Sequence, residues 1–195
     1  VRLDERELRD VKIRTVTHYG LTLDEAADPE SVAFVALSAI REDFEAGEDT
    51  AKREAALDKQ FDVAAVEYIA DQNHSSRTRE EFLLSVIRVW TPVVAHYVGD
   101  FPTTLEDARS RFVLRKAKVA EGAPEKADVL MEVDDLAAGR DPNARVVLVV
   151  YLVKDGGYWR VTHVGFDTST QDPEARRRIA KRGSSPVPAN ANASP

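Results

Sequence analysis

Apolar residues recur along this chain first with the spacing of helices and then with the spacing of strands. In ADPESVAFVALSAIREDFEAG, residues 27–47, Ala33, Ala36, Leu37, Ile40 and Phe44 follow one another at three- and four-residue intervals, the period of one helical face. Asp28 is the expected N-cap, Pro29 suits a first turn whose N–H groups have no partner, and Gly47 ends the helix. A second helix is expected from Thr50 to Ala70, with Leu57, Phe61, Ala64, Ala65, Tyr68 and Ile69 on its buried side. A third opens on a capping box, Thr78 to Glu81, where each side chain satisfies the other's backbone donor. Phe82, Val86, Val89, Trp90, Val93 and Tyr97 line it, and Gly99 ends it. Pro92 lies within this pattern and removes a backbone hydrogen bond, which predicts a kink near Arg88.

After DFPTT, residues 100–104, the period turns to alternation. RFVLRKAKV and KADVLMEVD read as strands, LAAGRDPN as a turn-rich loop, and VVLVVYLVKDGGYWRVTHVGFD as a hairpin. With Asp155 and Gly156 as a two-residue loop, Lys154 would face Gly157. Val146, Leu148, Val150, Leu152, Trp159, Val161, His163 and Gly165 would then share one face. The other would hold Val147, Val149, Tyr151, Val153, Tyr158, Arg160, Thr162, Val164 and Phe166. Neither face alternates cleanly with polar residues, so both need cover. At roughly 25 cal/mol per Å² of apolar surface, leaving one face wet would forfeit several kcal/mol. The helices serve one face. A homodimer through Val147, Val149, Tyr151, Tyr158, Val164 and Phe166, or the N-terminal arm, is expected to serve the other.

Helices followed by an antiparallel sheet make an α+β layout in a single domain. Residues 1–27 read as an arm with a short strand in DVKIRTVTHYG, 28–170 as the body, and 171–195 as a Pro-, Ala- and Asn-rich tail without periodicity, expected to be disordered. The 195 residues are 43% hydrophobic and 31% charged, a globular and not a disordered composition. A net charge of −7 argues against nucleic acid as the partner, and no apolar run is long enough for a membrane span. There is no cysteine, which excludes disulfides and thiolate chemistry. The chain starts at Val1, so an upstream signal peptide or lipid anchor stays open, and the compartment with it.

The run GGYWRVTHVGFD resembles the terminal strand of the nuclear transport factor two-like superfamily, matching at Gly156, Gly157, Trp159, Arg160, Val161 and His163, with Tyr158 inserted before the tryptophan. Three helices and then strands, over about Glu30 to Asp167, are similar to that superfamily's order. The resemblance implies a strongly bent antiparallel sheet wrapped around helices into a cone with an apolar pocket. The superfamily spans enzymes, ligand binders, dimerisation modules and scaffolds, so it implies no one activity. FDVAAVEYI and YWRVTHV also resemble the periplasmic phospholipid-shuttle (toluene-tolerance) family, a likeness that stops after the Trp-Arg-Val strand.

His163 is the one candidate for chemistry, as a general base of the dehydratase or isomerase type aided by Tyr97 or Tyr68. Asp167 is two pleats away, roughly 13 Å, too far to orient it. The plainer reading of His163 is a partly buried histidine bonded to a carbonyl or water. Tyr68, Trp90, Tyr97, Trp159, Val161 and His163 are the expected lining of an apolar pocket; the plainer reading of the aromatics is core. The four histidines are scattered, with no metal-binding spacing, no phosphate loop and no nucleophile elbow, so no metal or cofactor is expected. RRRIAKR in the tail is basic and expected to be solvated. The sequence thus favours a non-catalytic cone-like domain that binds a small apolar ligand or mediates association. The alternatives are an enzyme using His163 and an envelope lipid carrier.

Overall fold

The computed structural model describes residues 15–71, 79–117, 120–134 and 145–167. It opens with a small hairpin, β1 (Val16–His18) and β2 (Leu21–Leu23), joined by Tyr19 and Gly20. Val16 and Leu23 are buried in the main core, so this part of the expected arm belongs to the body. Helix α1 (Pro29–Glu45) follows, with the Ser31 N–H donating to Asp28 Oδ1 at 2.7 Å as its cap. Every residue from Ser31 to Ile40 is buried, which makes α1 a central helix enclosed on all sides. Phe44, expected in the buried stripe, is 49% exposed because the last turn of α1 runs out of the core.

The single helix expected from Thr50 to Ala70 is two, α2 (Thr50–Val63) and α3 (Val66–Asp71). Ala64 turns extended, with ψ 146, and bridges Val161 of the last strand, while the Ala65 N–H donates to the Val161 carbonyl at 2.8 Å. A strand edge with unpaired backbone groups thus outcompeted helix continuation at two alanines. Helices α4 (Arg79–Arg88) and α5 (Trp90–Val94) are separated at Val89, beside the kink that Pro92 predicts, and a 3₁₀ turn spans Ala95–Asp100. Thr78, the start of the expected capping box, lies outside the described residues. Helix α6 (Leu105–Arg111) was not expected. Thr104 caps it through the Asp107 N–H, and acids in its first turn with arginines in its last suit the helix dipole.

Strands β3 (Val113–Lys116), β4 (Lys126–Asp134), β5 (Arg145–Asp155) and β6 (Tyr158–Phe166) form an antiparallel sheet in that order. The chain is therefore an α+β domain, with its main core between the helices and one sheet face. Among the described residues no helix is long and apolar enough to cross a membrane. The loop LAAGRDPN and the tail from Gln171 lie outside the described residues.

Two corrections apply to the β5–β6 hairpin. Its loop is Gly156–Gly157, with φ of 55° and 92°, so Asp155 faces Tyr158 and Leu152 faces Val161. That shift moves partners by two residues and leaves the faces unchanged. A β-bulge then places Thr162 as the extra residue, so that Tyr151 faces His163, Val150 faces Val164 and Leu148 faces Phe166. One inserted residue exchanges the faces beyond it. Val164 and Phe166, expected on the outer face, pack with the main core, and His163 and Gly165 turn outward.

On the outer face Val113, Leu130 and Val149 form a row across three strands, joined by Val147 and Tyr151. Leu130 is 1% exposed and Val149 0% within the single chain. A second body is not needed to bury this row.

Candidate functional site

The structure separates the six residues expected to line one pocket. Trp90, Trp159 and Val161 are core residues. Tyr97 packs edge-on against Phe166 at 5.1 Å between centroids, and Tyr68 lies beneath the Lys126 ammonium at 5.5 Å. His163 is on the opposite side of the sheet, stacked on Tyr151 at 6.0 Å with planes 23° apart. The expected His–Tyr proton relay is thereby split by the sheet. His163 makes no hydrogen bond among the described residues, and partial burial holds its pKa below the usual histidine value. Asp167, as expected, does not reach it; that carboxylate pairs instead with Arg115 at 3.2 Å. Among the described residues no group of three or more His, Asp or Glu could hold a metal ion.

A different set of residues converges where the β1–β2 turn meets α1 and the segment before α6. Tyr19, Leu21, Phe34, Ser38, Arg41, Glu42, Thr103, Thr104 and Leu105 line a cleft of about 430 Å³. The turn is a two-residue hairpin loop whose geometry needs positive φ, and Tyr19 adopts 52° there. A left-handed conformation costs a residue with a Cβ roughly 1–2 kcal/mol, so its side chain must contribute in return. Its ring meets Phe34 edge-on at 6.4 Å and lies under the Lys59 ammonium at 5.1 Å. The Tyr19 hydroxyl is buried without a hydrogen bond of good geometry, and burial, then the adjoining Glu42 carboxylate, push its pKa far above the phenol range.

Helix α1 supplies the polar wall. Ser38 is 8% exposed, and its hydroxyl makes no hydrogen bond among the described residues. Three residues on, Arg41 donates to the Phe101 carbonyl and forms no ion pair among the described residues. Glu42 is engaged by Lys59 at 2.5 Å. Leu21, Phe34 and Leu105 supply apolar walls. The cleft therefore combines one buried, under-bonded hydroxyl, a serine hydroxyl, a guanidinium without a counter-ion among the described residues and an apolar lining, which is the composition of a small-molecule site.

A second cleft of about 350 Å³ is lined by Asp43, Thr50, Arg53, Glu54, Leu57 and Arg88. Its central carboxylate is already satisfied, Asp43 accepting from Thr91 at 2.6 Å and pairing with Arg53 at 3.3 Å. None of the six expected pocket residues lines either cleft.

Sequence reasoning passed over Tyr19, Ser38 and Arg41. Two signals were legible: Tyr19-Gly20 between the alternating runs VTH and LTL marks a hairpin turn, and Ser38 interrupts an apolar stretch of α1. What no local pattern carried was that Thr103 and Leu105, more than sixty positions further on, close the same cleft. Comparison with protein-family models, with curated proteins and with solved structures finds no match to this chain.

Proposed function

We propose that this chain is a non-catalytic domain that binds a small, largely apolar ligand in the cleft between the β1–β2 turn and α1. One observation carries the reading: the buried Tyr19 hydroxyl lacks a partner of good geometry on the wall of an apolar cleft that the Ser38 hydroxyl also lines, and buried polar groups are ordinarily bonded. A ligand polar group would complete them, while Leu21, Phe34 and Leu105 bury its body. The order of helices before an antiparallel sheet is in keeping with the likeness to the nuclear transport factor two-like superfamily, which includes ligand binders.

The rival readings have less behind them. Association through the outer sheet face would draw on Val147, Tyr151 and Tyr158, since Val149 and Val164 are already buried. Carriage of a two-chain lipid calls for a far larger enclosure than about 430 Å³.

The test is protein-observed NMR with four probes: hexan-1-ol, hexanoate, benzyl alcohol and benzoate. Saturable shifts are expected at Tyr19, Ser38 and Thr103, and Leu105→Trp, which fills the cleft, is expected to abolish them. Absence of saturable shifts there with all four probes overturns the reading.

A further inference from the structure

We propose that the ligand of this cleft is a small organic anion, a monocarboxylate with an apolar body; this rests on the cleft being a ligand site. The charge inventory of the lining decides it. Glu42 is the carboxylate of the wall, and Lys59 holds it at 2.5 Å while resting over the Tyr19 ring. That pair is neutral. Arg41 is the remaining charge on the wall, and it has no carboxylate partner among the described residues. A cation in a partly desolvated cleft is costly to leave unpaired, and guanidinium presents a donor fork shaped for a carboxylate.

The geometry holds that fork in place before a ligand arrives. One Nη2 donor of Arg41 is committed to the Phe101 carbonyl, which fixes the side chain against the segment leading to Thr103 and Thr104. Four of the five guanidinium donors that arginine carries are left over. Ser38 lies one helical turn before Arg41 on the same side of α1, so its hydroxyl and the guanidinium flank one position. A carboxylate there would accept from both, and its apolar body would lie against Phe34, Leu21 and Leu105. The Tyr19 ring, held in its left-handed turn, closes the remaining side. A neutral alcohol of the same shape would keep the apolar contacts and lose the charge-assisted bonds. A dianion would be undercompensated by a single arginine.

The wild-type protein provides the primary test, free of any folding defect. Titrations at neutral pH compare hexanoate with hexan-1-ol and benzoate with benzyl alcohol, read as saturating NMR shifts at cleft amides. Each acid is expected to bind about tenfold more tightly than its alcohol, the gain of charge-assisted over neutral hydrogen bonding. Ser38→Ala, a near-isosteric change, is expected to weaken the acid about threefold to fivefold and the alcohol less. Arg41→Gln is expected to bring the acid-to-alcohol preference close to one, and Arg41→Lys to keep part of it. Alcohols that match the acids in the cleft overturn the anion assignment while leaving the ligand site standing. A preference that survives in a folded Arg41→Gln protein overturns it as well. Shifts that map away from the cleft with all probes remove both.

Discussion

Arg115 Nη1 and Asp167 Oδ2 lie 3.2 Å apart, although Arg115 is on β3 and Asp167 directly follows β6 at the far edge of the sheet. The register puts Arg115 in line with Asp128, Tyr151 and His163, and the Asp167 N–H donates to the carbonyl of Val147, which precedes Tyr151 by four residues. On a flat sheet the two Cα positions would be about 19 Å apart, beyond the combined reach of the two side chains. The twist of the sheet therefore brings these two corners together over its outer face. Between the two partners runs the row Val113, Leu130, Val149, so the guanidinium passes over apolar side chains and helps to bury them. The same cluster raises the Tyr151 pKa, through burial first and then through Asp167 and Asp128.

Arg115→Met should expose the importance of that strut. It leaves Asp128 and the 9%-exposed Asp167 side chain without their shared cation, and a stability loss of about 2–3 kcal/mol is expected in urea unfolding. Arg115→Lys keeps a charge without the fork and should recover part of the loss. A midpoint unchanged in Arg115→Met would show the contact to be ornamental.

The outer row should behave as core. Leu130→Ala is expected to cost about 2–4 kcal/mol, as a buried large-to-small change does. Phe44→Ala, at a position whose helical period reads as buried, should stay within about 0.5 kcal/mol because the ring is half in water. Thermal or urea unfolding of the two variants side by side separates the cases, and equal losses would contradict the packing described.

Gly165 makes room for His163. A Cβ at position 165 would stand 2.9 Å from the His163 Nε2, closer than side chains allow, so Gly165→Ala should displace the imidazole from Tyr151. The His163 pKa is depressed in the folded chain, so the unfolded chain binds the proton first as pH falls. Stability is thus full above the unfolded value and declines as pH drops through about 6.5 toward the folded pKa. His163→Gln should remove this increment of acid sensitivity, and Gly165→Ala should move the histidine's NMR titration upward. An unaltered titration in Gly165→Ala would break the link between the two residues.

Gln60 is fully buried, with its Oε1 unbonded and its Nε2 only 3.5 Å from Thr91 Oγ1. Gln60→Met keeps the volume and removes an unsatisfied carbonyl, so stability is expected to hold or rise by up to about 1 kcal/mol. Thr91→Val removes the 2.6 Å bond to Asp43 and should cost about 1 kcal/mol. Calorimetric midpoints decide it; a marked loss in Gln60→Met would mean the amide is bonded after all.

The sequence by itself determined the element types, the Asp28 cap, the Pro92 interruption, the hairpin and the α+β order, because each rests on periods or residue chemistry contained within a few positions. A helix as short as α6 left too few turns for a period to show. Tertiary structure decided the rest. The helix break at Ala64 answers to an exposed strand edge about a hundred residues away, and Thr162 became a bulge in the last strand, turning His163 away from the core and Val164 into it. The candidate cleft likewise exists only where a hairpin turn, one helix and a distant segment come together. Facing, register and convergence depend on contacts between residues far apart in the chain, and no local alternation of polar and apolar positions encodes them.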